Sequence, residues 1–306
     1  YAQGAFNVNA VCQAKAVIEV HEMLRSAAIL QGADLANAFM GGRADFANGT
    51  VEDKIVGAKN IGDAVKKYGE KSPIPVVLHL DHGRDMESVK AAIAGGYTSV
   101  MIDGSALPYE ENVALTKKVV DYAHPRGVWV EAELGKLAGI EEHVKSEGHQ
   151  FTDPDQAVDF VEKTGCDSLA VAIGTSHGAY KFKGEAKLDF PRLETICEKL
   201  PNYPLVLHGA SSVPHEFVEE CNKYGGNVGD ARGVPEDMLR RAATMGVCKI
   251  NVDTDIRLAL TASIRKYMVE HPEAFDPRKY LGPARDAVRN MVAHKIHDVM
   301  GSSGKA

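Results

Sequence analysis

The chain has 306 residues, of which 35 are lysine or arginine and 42 are aspartate or glutamate, which gives a formal net charge of −7. A mildly acidic chain lacks the basic surface that sequence-independent nucleic-acid binding requires, so we expect no nucleic-acid partner. No apolar run approaches the roughly 18 residues of a membrane span, and we expect no membrane contact.

The cysteines and the first six residues indicate the cellular compartment of the protein. The five cysteines are odd in number and lack the Cys-x-x-Cys spacing of a zinc ribbon or a redox motif. Residues 1–6 do not have the basic region followed by an apolar region that defines a signal peptide. Both features predict a cytoplasmic protein with reduced cysteines.

Eight short apolar runs, rich in valine and isoleucine, predict β-strands. Runs that are apolar at successive positions are typical of parallel strands, which are covered on both faces. The predicted strands are residues 4–8, 27–30, 75–80, 99–103, 128–134, 168–173, 204–207 and 247–252.

Stretches with helical periodicity lie between most of these strands. The first is Val11–Leu24, where Ala14, Val17 and Ile18 are apolar at i, i+3 and i+4. Pro154 and Pro214 lie near predicted first turns and mark helix starts. Further helices are predicted at residues 87–94, 111–123, 155–163 and 191–199.

The alternation of eight strands with helices favours an α/β fold, the (β/α)8 TIM barrel, over a doubly wound open sheet. No linker, low-complexity run or short repeat divides the sequence, so residues 1–306 are predicted to form a single domain. Residues 276–306 are predicted to be its C-terminal helical extension.

Ionisable side chains cluster where the predicted strands end, and in a barrel these ends meet on the rim that carries the active site. Three histidines on three strands, His82, His177 and His208, could converge on one ion. A set of three imidazoles leaves one coordination position open, which suits a catalytic zinc ion. Each histidine alone would more often be a packing residue, and Asp103 alone would be a helix N-cap. Their joint occurrence at successive strand ends favours a site.

Two segments rich in glycine and hydroxyl groups, residues 209–212 and 251–254, follow the seventh and eighth strands. Barrels commonly bind phosphate here on backbone N–H groups at a helix start. Lys181 could add positive charge, and Arg257 and Arg278 could hold a second phosphate through bidentate contacts. The alternatives are a solvated loop lysine and arginines in surface ion pairs.

Residues 135–152 show no strong periodicity and are rich in glycine, glutamate and histidine. A segment of this length after a barrel strand is either a mobile lid or disordered. Within it, Glu141 and Glu142 could supply a base that reaches the site on closure.

Seven motifs together resemble those of the class II, metal-dependent fructose-1,6-bisphosphate aldolases, and they run in order along essentially the whole chain. The resemblance implies a (β/α)8 barrel, in agreement with the strand pattern. The motifs begin with Gly-Ala-Phe-Asn-Val-Asn at 4–9 and His-Leu-Asp-His-Gly at 79–83, and continue at 100–105, 131–135, 174–178, 207–212 and 249–255.

The resemblance implies a metal site. It makes His82, His177 and His208 the ligands of a catalytic Zn2+. It makes Asp103 and Glu133 ligands of a second divalent metal position. It also implies a monovalent cation, Na+ or K+, as a further cofactor.

The resemblance implies two proton-transfer groups. Asp81 matches the acid/base for the hydroxyl at the carbon–carbon bond that forms or breaks. Glu141, with Glu142 as the alternative, matches the lid base that acts on dihydroxyacetone phosphate. The implied substrate contacts are Gly178, Gly209, Ala210, Ser211, Asn251, Val252, Asp253, Thr254, Arg257 and Arg278.

The expected function is zinc-dependent cleavage and condensation of fructose 1,6-bisphosphate, with dihydroxyacetone phosphate and glyceraldehyde 3-phosphate as triose phosphates, in glycolysis and gluconeogenesis. The resemblance implies a cytoplasmic homodimer or homotetramer. A tagatose-1,6-bisphosphate aldolase, which differs in the configuration at C4, is the nearest alternative. A non-catalytic barrel that binds ligands is a weaker one, because every matched chemical position is intact. A phosphosugar epimerase is also a weaker alternative, because no second acid/base faces Asp81.

Overall fold

The computed structural model describes residues 1–141, 144–146, 150–177, 187–229 and 231–306, and for residues 138–141, 144–146 and 177 it describes the backbone alone. Eight of the described strands are parallel and close into a barrel, which confirms the predicted (β/α)8 fold. The strands are β1 (Gln3–Asn7), β2 (Ala28–Ala33), β3 (Val76–Gly83), β4 (Ser99–Ile102), β5 (Trp129–Leu134), β6 (Ala138–Glu141), β7 (Val144–Ser146), β8 (Ser168–Val171), β9 (Ser176–His177), β10 (Leu205–Leu207) and β11 (Val247–Val252). The barrel order is β1-β2-β3-β4-β5-β8-β10-β11, with β11 pairing with β1.

The helices cover the outside of the barrel, and those predicted from periodicity agree with the structure to within two residues at either end. Asp153 is the N-cap before Pro154, and its side chain accepts hydrogen bonds from the next two backbone N–H groups, at 2.9 Å each. No helix of the described residues is long and apolar enough to cross a membrane. The helices are α1 (Val11–Leu24), α2 (Asp34–Met40), α3 (Val51–Gly69), α4 (Met86–Ala94), α5 (Tyr109–Ala123), α6 (Pro154–Thr164), α7 (Phe190–Lys199), α8 (His215–Lys223), α9 (Glu236–Met245), α10 (Thr254–Glu270) and α11 (Pro277–His294).

The main hydrophobic core lies between the strands and the surrounding helices. Leu78 and Leu80 of β3, for example, are buried in it. The positions that alternate with them, His79 and Asp81, are also buried but are polar. Because successive side chains of a strand point to opposite faces, these polar groups face the barrel interior. The strands are therefore apolar toward the helices and polar inside near their carboxyl ends.

The C-terminal extension packs against the barrel's own helices. Helix α11 lies against α1 and α10, and its residues Val288 and Val292 belong to the main core. A π-helical turn, Lys295–Met300, follows it, and the carbonyl of Met300 accepts a hydrogen bond from the backbone N–H of Ala2 at 3.1 Å. The extension therefore contributes to the same core as the strands.

The segment after β5 contains regular structure that its composition did not indicate. Strands β6 and β7 pair as antiparallel neighbours, and β6 also pairs in parallel with β9. The base of the segment is closed by two backbone hydrogen bonds between Lys136 and Gln150, at 2.7 and 2.9 Å. Strand pairing across the chain, rather than local periodicity, forms this three-stranded sheet.

Candidate active site at the carboxyl rim of the barrel

The end of β3 departs from regular strand geometry. In its pairing with β4 the register shifts between Leu80 and Gly83, so that β3 has one residue more than its partner over this stretch. Within the shift, His82 has a φ of 48°, in the left-handed region that costs an L-residue about 1–2 kcal/mol. Bulges redirect side chains and are common beside active sites. Here the bulge accompanies the burial of both Asp81 and His82.

His82 and His208 meet inside the barrel. Nε2 of His82 lies 2.9 Å from Nδ1 of His208. The other nitrogen of each ring faces a carboxylate: Nδ1 of His82 is 3.0 Å from Asp103, and Nε2 of His208 is 2.7 Å from Glu131. Because an ionised carboxylate only accepts hydrogen bonds, each contact places the ring hydrogen on the outer nitrogen. The two inner nitrogens then present lone pairs to each other.

This arrangement fits a divalent cation. Two lone pairs 2.9 Å apart need a proton or a cation between them. Two nitrogen ligands of one tetrahedral zinc ion are about 3.3 Å apart when each Zn–N distance is about 2.0–2.1 Å. Ligand atoms of Asp81, His82 and His208 all lie within 4.8 Å of one another. Burial, reinforced by the adjacent His82, lowers the pKa of His208, which favours the neutral imidazole that binds a metal.

The residues predicted for a second metal position also lie together. Ligand atoms of His82, Asp103 and Glu133 are within 4.8 Å of one another, and Glu133 Oε2 is 3.6 Å from Nδ1 of His208. Burial alone would raise the pKa of Asp103, but hydrogen bonds from His82 and Ser105 outweigh it and hold the pKa well below the usual range. Asp103 therefore presents an ionised oxygen to the ring of His82.

Both oxygens of Asp81 are held by side-chain amides. Asn7 donates to Oδ2 at 2.8 Å, and Asn251 donates to Oδ1 at 2.9 Å. Asn7 in turn accepts a hydrogen bond from Gln31 at 2.7 Å. The amide nitrogen of Asn251 also lies 3.3 Å from Nε2 of His208. The carboxylate of Asp81 is thus fixed beside the histidine pair, as an acid/base group requires.

Glu131, Lys249 and His79 form a layer below the histidines that the sequence interpretation did not assign to the site. Lys249 Nζ lies 3.0 Å from both carboxylate oxygens of Glu131. Burial would raise the pKa of Glu131, but the charge of Lys249, together with His79 and His208, holds the pKa well below the usual range. Burial, with the charge of Lys249, lowers the pKa of His79 to about 3. Each of the three residues lies inside a predicted barrel strand, and an ionisable side chain at such a position was the sequence signal for this layer.

The two predicted phosphate segments lie against each other. The backbone N–H of Asp253 donates to the hydroxyl of Ser211 at 3.3 Å, and Asn9 donates to the Asp253 carboxylate at 2.8 Å. Gly209 has a φ of 57°, which favours glycine. Helix α10 begins at Thr254, so its positive N-terminal end lies at this turn. The predicted contacts in these two segments are Gly209, Ala210, Ser211, Asn251, Val252, Asp253 and Thr254.

The two arginines differ in position. Arg257 binds Asp253 through Nε at 3.0 Å and Nη2 at 2.5 Å, with its side chain 52% exposed. Arg278 lies in the first turn of α11, is 91% exposed and pairs with Asp276 at 2.8 Å. Among the described residues, Arg257 but not Arg278 contacts the phosphate turn.

Five predicted site residues fall partly or wholly outside the described structure. Gly178 and Lys181 lie outside it, as does Glu142. The backbone of His177 lies in β9 and pairs with Gly139, and that of Glu141 lies at the end of β6, but their side chains are not described. Their roles stay predictions.

Comparison with known proteins identifies the family. The family model described as fructose-bisphosphate aldolase class-II matches residues 1–305. The chain belongs to this family. It is 50% identical over 308 residues to the fructose-bisphosphate aldolase of Giardia intestinalis, with 100% of the chain and 90% of that relative covered. To the fructose-bisphosphate aldolase of Treponema pallidum it is 46% identical over 322 residues, with 100% and 93% covered.

A solved aldolase structure shares the fold. The crystal structure of the YdjI aldolase from Escherichia coli K12 matches with a TM-score of 0.76 and 32% identity. The match covers 100% of this chain and 94% of that one. The predicted resemblance to the class II aldolases is therefore confirmed.

Proposed function

We propose that this class II aldolase catalyses the reversible aldol cleavage of fructose 1,6-bisphosphate to dihydroxyacetone phosphate and glyceraldehyde 3-phosphate. The observation that carries the proposal is the buried cluster of Asp81, His82 and His208, whose ligand atoms lie within 4.8 Å of one another. A proton-transfer carboxylate directly beside a metal-type histidine pair is what this reaction needs. The match to the family along residues 1–305 supports the same assignment.

Cleavage of a β-hydroxy ketone removes a proton from the C4 hydroxyl and leaves negative charge on the ketone fragment. A divalent metal ion, held by His82, His208 and His177, supplies Lewis-acid stabilisation of that charge. Asp81 accepts the hydroxyl proton in cleavage and returns it in condensation. Its amide partners Asn7 and Asn251 hold the carboxylate in one orientation, which lowers the reorganisation needed during the reaction.

The ketone fragment must gain a proton on carbon to become dihydroxyacetone phosphate, and we assign this step to Glu141. The backbone supports the assignment. Strand β6, which ends at Glu141, pairs with β9, and the paired residues include Gly139 and His177. Glu141 is therefore two residues along β6 from a position paired with a proposed metal ligand.

Phosphate binding is assigned to the turn after β10 and the start of α10. Backbone N–H groups at the N-terminus of a helix attract an anion, and Ser211 adds a hydroxyl. Arg257 binds Asp253 at this turn, and we assign it to the second phosphate. Gly178, Lys181 and Arg278 complete the proposed substrate contacts.

The finer cofactor and assembly assignments are also proposals. Imidazole ligands with one open position suit Zn2+, and Asp103 and Glu133 suit a second divalent cation. We assign Na+ or K+ as a monovalent cofactor, a cytoplasmic location, and a homodimer or homotetramer. Exposed apolar side chains on and between α10 and α11, such as Phe275 at 92% and Val269 at 57%, support association.

The test is a coupled assay of fructose 1,6-bisphosphate cleavage on protein whose metal content is measured. Removal of the metal with a chelator should abolish cleavage, and added Zn2+ or Co2+ should restore it. Full activity in excess chelator, with no metal in the protein, would contradict the metal mechanism. Borohydride added with substrate should leave no covalent adduct, because no lysine imine forms.

The same assay with tagatose 1,6-bisphosphate addresses the nearest alternative. The two sugars differ in the configuration at C4, whose hydroxyl proton Asp81 removes. A higher kcat/KM for fructose 1,6-bisphosphate supports the proposal, whereas a higher value for the tagatose sugar would assign the enzyme to the other substrate.

A further inference from the structure

We propose that Glu131 is a positioning residue of the metal site: it fixes the tautomer and the ring orientation of His208, and Lys249 fixes Glu131. The inference rests on the proposed function in one respect, namely that His208 is a ligand of the catalytic metal ion.

The three side chains form a continuous chain of contacts inside the barrel. Glu131 Oε1 lies 2.7 Å from Nε2 of His208, and Lys249 Nζ lies 3.0 Å from each oxygen of Glu131. All three side chains are buried. Glu131 lies on β5, Lys249 on β11 and His208 directly after β10, and β5 is adjacent to neither of the other two strands. The contacts therefore cross the barrel interior directly beneath the histidine pair.

A neutral imidazole has two tautomers, and only one of them leaves the lone pair of Nδ1 directed at His82 and the proposed cation. An ionised carboxylate cannot donate a hydrogen bond, so Glu131 selects the tautomer in which Nε2 of His208 carries the hydrogen. Carboxylates that bind the outer nitrogen of a ligating histidine orient the ring and raise its basicity. Asp103 makes the corresponding contact with His82 at 3.0 Å.

Lys249 keeps Glu131 in this role. Its ammonium group contacts both carboxylate oxygens, so the carboxylate cannot turn toward the cation position without losing one of these contacts. Glu133 lies two residues further along β5 and therefore on the same face of the strand, and its Oε2 is 3.6 Å from Nδ1 of His208. The two glutamates thus contact different nitrogens of His208: Glu133 faces the inner nitrogen, and Glu131 faces the outer one.

Glu131→Gln tests the role of Glu131 because the glutamine side chain has nearly the same shape as the glutamate it replaces. Lys249 can only donate hydrogen bonds, so it favours the amide carbonyl of the new side chain, and the NH2 group then turns to His208. An NH2 group at Nε2 places the ring hydrogen on Nδ1, where it blocks the cation. We expect zinc affinity, measured by competition with a chromogenic chelator, to fall about 10–100-fold. The visible absorption spectrum of the cobalt-loaded protein should change as well, because a ligand is lost or displaced.

Asp34→Asn is the matched control. Asp34 is a buried carboxylate that pairs with Lys54 at 2.7 Å and with Arg84 at 3.6 Å, accepts a hydrogen bond from Ser88 at 3.0 Å, and contacts neither histidine among the described residues. This variant loses the same charge at similar burial, so it should lose stability while zinc affinity and the cobalt spectrum stay as in the wild type. If Glu131→Gln does not fold, Glu131→Asp serves instead, since it keeps the charge for Lys249 but is shorter and withdraws from His208.

The outcomes separate the inference from the proposed function. A folded Glu131→Gln or Glu131→Asp protein with wild-type zinc affinity and an unchanged cobalt spectrum would overturn the positioning role, even if the wild type cleaves fructose 1,6-bisphosphate normally. A wild type that binds zinc and shows the predicted loss in the variants, but does not cleave the sugar, would support the inference and contradict the substrate assignment.

Discussion

Lys295 and Asp255 form an ion pair inside the protein, with Nζ 3.0 Å from Oδ2 and the side chains 1% and 0% exposed. The same carboxylate accepts hydrogen bonds from the backbone N–H groups of Ser212 and Val213, at 3.1 and 2.8 Å. Lys295 also donates to the hydroxyl of Ser212 and to Glu236. The pair therefore ties the C-terminal segment to the turn that follows β10, next to the proposed phosphate contacts.

Lys295→Met should destabilise the protein by about 3–5 kcal/mol, because it leaves the buried carboxylate of Asp255 without its counter-ion. Urea unfolding followed by circular dichroism measures the loss. The control is Lys59→Met, which removes an exposed lysine whose partner Asp63 is also exposed; its unfolding midpoint should stay close to that of the wild type. Equal midpoints for Lys295→Met and the wild type would show that the buried pair contributes nothing to stability.

His21 predicts a pH dependence of stability away from the active site. It is fully buried, and neither ring nitrogen has a hydrogen-bond partner among the described residues. Burial lowers its pKa from 6.5 to about 4. The folded protein therefore binds the proton more weakly than the unfolded chain does. The stability that neutral His21 contributes is fully present above pH 6.5 and is lost as the pH falls toward 4. At pH 5 the loss is about 2 kcal/mol.

His21→Leu should remove this loss. Between pH 7.5 and pH 5, the free energy of unfolding of the variant should fall by about 2 kcal/mol less than that of the wild type. Other titrating groups contribute equally to both proteins, so the difference isolates His21. His215→Gln, at an exposed position, is the control and should follow the wild type. Parallel pH profiles for His21→Leu and the wild type would mean that His21 is not held neutral by burial.

Asp81→Ala should lower cleavage of fructose 1,6-bisphosphate by about 10²–10⁴-fold, while the protein stays folded and keeps its zinc. His82→Ala should lose zinc as well as activity. Asn7→Ala, which removes one of the two amides that hold Asp81, should lower kcat in the same direction but by less. Cleavage at the normal rate in Asp81→Ala would reject the acid/base role.

Variants of Glu141 and Asp81 should affect two different half-reactions. Exchange of the carbon-bound proton of dihydroxyacetone phosphate with solvent needs only that substrate, the metal and the lid base, whereas bond cleavage also needs Asp81. Glu141→Ala should therefore slow proton exchange strongly, and Asp81→Ala should spare it. Proton exchange measured by NMR in deuterated water distinguishes them. Exchange that survives in Glu141→Ala but fails in Glu142→Ala would assign the base to the neighbouring residue, and survival in both would leave the segment only a covering role.

The sequence by itself determined the barrel and the identity of the polar strand ends. Strand and helix positions follow from local periodicity and from caps such as Asp153 and Pro154, which act over a few residues. In a parallel barrel all carboxyl ends lie on one rim, so polar residues at strand ends, such as His82 and His208, necessarily come close. No distance information was needed for that inference.

The tertiary structure alone decided which atoms face each other. The contacts of Glu131 with His208 and Lys249, and of Asn7 with Asp81, join residues 77, 118 and 74 positions apart. They depend on the strand register. The bulge at His82, for example, shifts the register of β3 against β4 by one residue and so changes the direction of the His82 side chain. The pairing of β6 with β9 has the same origin. The strand register and the closure of the barrel are set by the packing of all its strands. The periodicity of a single strand does not specify which side chains meet across the barrel interior.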